Sequence, residues 1–135
     1  MFSKPMKQPQ YILLLVIAFV LTACKVDDSI NPELIGSWEN TSVRYTFKSD
    51  YSFAQENLRK GDSTNLVVVD SLFGTYVLDN KRSNVTFKPV GYRIDSTGEI
   101  ITQGLNDQTW EYSIEGNTLN YESPTTLGEL ERVEE

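Results

Sequence analysis

From Leu34 onward the chain runs as short stretches in which apolar and polar residues alternate, each stopped by turn-forming residues. Alternation of period two puts successive side chains on opposite faces of a β-strand, and a helix cannot use it. In residues 44–48 Tyr45 and Phe47 share a face, and residues 35–39, 51–55, 84–88, 108–114 and 118–122 alternate in the same way. Residues 65–73 form a Val-rich run, residues 74–78 a further one beginning at Gly74, and residues 99–103 and 128–133 complete the set. The breaks fall at Ser49-Asp50, at 60–63, at 79–82, at Pro89 and at Glu115-Gly116-Asn117. This spacing predicts an all-β fold, an up-and-down antiparallel meander of about 8–10 strands. About eight such strands can close into a barrel, which removes the unpaired edges and encloses either side chains or one small ligand.

The residues before this pattern have a different texture. Lys4 and Lys7 precede an uncharged apolar run at 11–21, followed by the small residues Thr22 and Ala23 and then Cys24, the single cysteine. A run of about eleven residues is too short to span a bilayer, which needs about 20, but fits the apolar region of a secretory signal. Leu21-Thr22-Ala23-Cys24 resembles the lipobox of bacterial lipoproteins. The resemblance implies cleavage before Cys24, a diacylglycerol thioether on its thiol, and stable anchoring by two or three acyl chains. Residues 1–23 are then a signal peptide, 24–33 a polar, lipidated tether, and 34–135 the barrel domain. Lys25-Val26-Asp27-Asp28 resembles the export signal that sends lipoproteins of the Bacteroidota to the outer face of the outer membrane, with Val26 interrupting it. The expected location is therefore the outer membrane, with its two faces left open.

Removal of the signal leaves 112 residues, enough for one domain. The mature chain carries ten basic against nineteen acidic residues, a net −9. That charge argues against nucleic acid and anionic headgroups as partners, so membrane attachment must come from the acyl chains. Histidine is absent, and acylation of Cys24 leaves no thiol. Zinc sites and Cys–His or Ser–His–Asp catalysis are excluded, and only a carboxylate or Ser–Lys enzyme stays open. Asp95-Ser96-Thr97-Gly98 has one residue too many for an aspartic-protease motif and no second copy, so it reads as a turn. The expectation is a non-enzymatic protein without a cofactor.

Three features together resemble the lipocalin-like domain lipoproteins of the Bacteroidota type. They are Gly36-Ser37-Trp38 in the first strand, the hairpin from Tyr45 through Asp50 to Phe53, and Gly74-Thr75-Tyr76-Val77-Leu78 with its echo at 110–119. The resemblance implies a lipocalin-like barrel in which Trp38 closes one end and packs near a basic residue of the last strand, Arg132. It also implies a small hydrophobic or amphipathic ligand, with Tyr45, Phe47, Phe53, Tyr76, Trp110, Tyr112 and Tyr121 as the inward-facing candidates. Tyr51 stands where glycine usually follows the turn Asp, which suggests a different turn type.

The same aromatic side chains can instead fill the interior of so small a barrel. The domain would then be an accessory protein docking an envelope protein or a glycan. Four Asp-Ser triplets, at 28–30, 62–64, 70–72 and 95–97, resemble the O-glycosylation site of exported Bacteroidota proteins, with Ser29, Ser63 and Ser96 as candidates. Asp-Ser also favours turns on its own account, and Asp70 falls in an expected strand.

Overall fold

In a computed structural model, residues 27–61 and 65–134 are described. Nine strands occur among them: β1 (Gly36–Glu39), β2 (Val43–Phe47), β3 (Ser52–Lys60), β4 (Leu66–Asp79), β5 (Asn84–Ile94), β6 (Ile100–Ile101), β7 (Gln108–Glu115), β8 (Thr118–Glu122) and β9 (Leu127–Arg132). All pairings are antiparallel. β1 to β5 pair in sequence, β5 pairs with β7, β7 with β8, β8 with β9, and β9 returns to β1. Eight strands thus form a closed up-and-down barrel, consistent with a lipocalin-like one. β6 stands outside the ring, on the upper half of β5, where Tyr92 faces Ile101 and Arg93 faces Ile100.

Register follows the apolar pattern, because a slip of one residue would turn every inward side chain outward. Trp38 faces Tyr45, Phe47 faces Phe53, Tyr76 faces Phe87, Leu78 faces Val85, Val85 faces Trp110, and Leu119 faces Leu130. These residues are all buried. Each large apolar side chain withdrawn from water contributes about 1.5–3 kcal/mol, so the packed interior is the main source of stability.

The structure corrects the sequence reading at three places. The runs at 65–73 and from Gly74 are one strand, β4. β5 likewise runs through Pro89, which the sequence reading took as its end. The two departures share one cause: Gly74 and Pro89 are cross-strand partners, and the register shifts between Phe73 and Gly74, leaving Val90 as the extra residue of a bulge. Proline has no N–H for the ladder, and a bulge is where a sheet tolerates it. The close approach here needs glycine, since a Cβ on Gly74 would overlap the Lys88 carbonyl and one on Gly91 the Phe73 ring. Third, Tyr51 itself adopts φ +65°, so the hairpin keeps the left-handed residue that glycine would supply. Asp50 helps fix it, accepting from the Ser52 backbone N–H (2.9 Å) and hydroxyl (2.5 Å).

The ring closes through a short seam. β1 and β9 share only the pairs Trp38–Arg132 and Glu39–Glu131, extended by Val133 N–H donating to the Ser37 carbonyl at 2.9 Å.

Candidate functional site

The barrel has two unlike ends. The lower end carries the turns at 48–51, 80–83 and 116–117; the upper end carries the turns at 40–42 and 123–126 and the β5–β7 connection.

Residues 27–35 cross the lower end as a strap. The Asn80 N–H donates to the Asp27 carbonyl (2.8 Å), and the Asn80 side-chain amide to the Ser29 carbonyl (2.7 Å). The Tyr51 hydroxyl donates to the Asp28 carbonyl (3.2 Å), and the Asn31 amide to the Tyr112 hydroxyl (3.0 Å). Ile30 packs on the core and Leu34 is buried in it. The Trp38 indole N–H donates to the Leu34 carbonyl at 2.9 Å. Arg132 lies with Cζ 4.1 Å from the centroid of Trp38, and its two Nη donate to the carbonyls of Ile35 (3.1 Å) and Glu33 (2.6 Å). The strap thus satisfies rim groups that a bare barrel end would leave to water, and it covers Trp38. Most of the stretch read as a tether therefore lies against the domain.

The interior is aromatic and packed. Phe87 sits among Trp110 (4.6 Å between centroids), Phe53 (4.9 Å), Phe47 (5.7 Å) and Tyr45 (5.9 Å). Tyr45 meets Trp110 edge-on, Phe47 meets Tyr76 edge-on, and Tyr121 stacks on Trp110 at 4.1 Å. All seven aromatic candidates therefore point inward; six are buried, and Tyr121 is half-buried against them. Apart from Tyr112, whose hydroxyl engages the strap, and Phe53, whose ring meets Phe87, each of them makes a ring contact with another of the set. Burial raises the phenol pKa of Tyr45 well above its ordinary value and pushes Tyr76 up to about 12. These side chains form core, and burial holds the Tyr45 and Tyr76 phenols protonated at neutral pH.

At the upper mouth a concavity of about 210 Å³ opens above Phe87. Leu72, Phe87 and Pro89 make its apolar part; Gln55, Gln108 and the loop Gly104-Leu105-Asn106 make the remainder. Beside it the Asn57 amide donates to the Asp70 carboxylate, which also bonds the Tyr92 hydroxyl and raises its pKa. The sequence reading missed these mouth residues, Phe87 included, although the alternation that selected Phe53 continues to Gln55 and that of residues 84–88 continues to Pro89. The space has room for a handful of waters at about 30 Å³ each and is below the 300–1,000 Å³ or so of a drug-sized ligand site.

The remaining sequence candidates scatter. Cys24 with residues 1–26, and Ser63 in the 62–64 triplet, lie outside the described residues. Ser29 is in the exposed part of the strap, where its hydroxyl donates to Asp27 at 2.7 Å. Ser96 is exposed in the turn after β5, while Ser71 of the 70–72 triplet is buried in β4. Among the described residues no group of three or more carboxylates is placed to hold a metal ion, and no helix is long and apolar enough to cross a membrane. No protein-family model, no curated protein and no solved structure matches the chain.

Proposed function

We propose that this chain is a lipoprotein of the outer membrane, anchored through acyl chains on Cys24 and without enzymatic activity. In this reading its barrel is an accessory module that docks an envelope protein or a glycan. The observation that carries it is the Phe87 cluster: Phe87 and the four rings around it occupy the volume in which a barrel-bound ligand would sit. Recognition then falls to the outer wall and the upper rim. The anchor rests on the order of basic residues, apolar run, small residues and Cys24.

A second reading has a specific observation behind it. The upper mouth joins an apolar floor to side-chain amides, which suits one small amphipathic molecule held at the rim. Native mass spectrometry of residues 25–135 from an envelope extract, before and after delipidation, separates the two. A bare mass in both samples supports the accessory module. An added mass that is lost on delipidation and restored by the extract overturns it in favour of the ligand.

A further inference from the structure

The strap fixes where the chain leaves the barrel, and with it which end meets the bilayer. Asp27 is held at the lower end by Asn80, in the β4–β5 turn, and the residues after it are tied down as far as Ile35. Between Asp27 and Cys24 only three peptide steps remain, which reach at most about 10 Å. β4 runs from Asp79 at that end up to Leu66, about 43 Å of strand and about 33 Å along the axis at a typical barrel tilt. We infer, on the basis of the anchor proposed above, that the barrel stands with its strapped lower end against the lipid surface. The upper mouth and the β3–β4 hairpin then face away from the membrane.

The lower rim fits that place. Tyr51 is exposed there with its hydroxyl on the strap, and an amphipathic ring of this kind suits the headgroup layer. Lys48, Lys81, Arg82 and Arg132 stand at this end among Asp27, Asp28, Glu33, Asp50, Asp79 and Glu115, a mixed rim with a small acidic excess, so charge does not drive this end onto the surface. The short tether sets the orientation.

The test uses the full acylated chain in phosphatidylcholine vesicles that contain a lipid with a nitroxide on its headgroup. Acylation of Cys24 leaves no other thiol, so an introduced cysteine is labelled alone. Arg82→Cys marks the lower end and Leu127→Cys the upper; the Arg82 side chain and Leu127 are each 80% exposed, so neither change disturbs the core. The expected result is fluorophore quenching several-fold stronger at position 82 than at 127. Equal quenching means a barrel lying on its side, and stronger quenching at 127 an inverted one; either overturns the inference. Labelling of Cys24 in the parent chain has a different meaning: the anchor itself is then absent, and the orientation falls with it.

Discussion

The guanidinium of Arg132 lies over the indole of Trp38, its Cζ 4.1 Å from the ring centroid, while both ends of its fork donate to strap carbonyls. One side chain therefore ties together the last strand, the first strand and the segment before it. Cation–π contact is worth about 0.5–2 kcal/mol and a charge-assisted hydrogen bond about 1.5–3 kcal/mol. Arg132→Met is expected to cost about 2–5 kcal/mol, the contact and one hydrogen bond on those figures, with the exposed bond to Glu33 counted as replaced by water. Arg132→Lys should recover less than half of it, because an ammonium cannot reproduce the planar fork. Urea unfolding midpoints of the three proteins check this, and equal midpoints for Lys and Arg would refute it.

Phe87 is the central ring of the core. Phe87→Ala should cost about 3–5 kcal/mol, the range for a large aromatic side chain lost from a packed interior. Phe87→Leu should cost much less. Thermal unfolding followed by near-ultraviolet circular dichroism reads both changes, since the neighbouring Trp110 and Tyr45 report their own packing. A loss below about 1 kcal/mol for the alanine variant would mean that the barrel is looser than this cluster implies.

Gly74 and Gly98 make a contrasting pair. A Cβ at Gly74 meets the Lys88 carbonyl and the Pro89 backbone, which can move only if the β4–β5 ladder shifts; at Gly98 it meets open space, and only the φ of +71° opposes it. Gly98→Ala should cost about 1–2 kcal/mol from the left-handed backbone alone. Gly74→Ala should cost more than that and should raise amide exchange along the β4–β5 ladder around Lys88. Hydrogen exchange and denaturant melts of both variants test the ranking.

The buried phenols set the alkaline limb of stability. Burial raises Tyr45 and Tyr76, the latter to about 12, and moves Tyr112 and Tyr121 in the same direction. An unfolded chain gives up these protons near pH 10, while the folded one keeps them. The unfolded state therefore binds fewer protons above pH 10, and stability is lost as pH rises through the folded values. At the acid end Asp27 and Asp50 are lowered by hydrogen bonds from Ser29 and Ser52, so their contribution is present above the usual carboxylate range and fades as pH falls. Tyr45→Phe should move the alkaline unfolding midpoint upward in a series of melts against pH. An unchanged alkaline limb would show that this phenol does not titrate with folding.

What the sequence disclosed was whatever depends on near neighbours. Tyr45 and Phe47, Trp110 and Tyr112, and the turns at 49–50 and 116–117 are legible from alternation and punctuation within about ten residues. Gly74 and Pro89 were misread because each, taken alone, ends a strand; their tolerance comes from facing one another across a bulge, which no local window contains. The strap was hidden for a related reason. Its residues are polar and have no period, and they are ordered by Asn80, Tyr51 and Arg132, which lie far along the chain. The mouth residues are half-legible: parity places Gln55 and Pro89 inside, but only the fold shows that the packed column stops below them.

The β1–β9 seam bears on the order in which the molecule is made. Its two residue pairs join strands some 94 positions apart, so they are the costliest contacts to form early and the slowest to find, and all-β topologies of this kind fold in about milliseconds to seconds. Until β9 arrives, β1 and β8 each present a bare edge open to pairing with a neighbouring chain. β9, the last strand of the barrel in chain order, thus turns an adhesive sheet into an inert cylinder, with Arg132 as the latch.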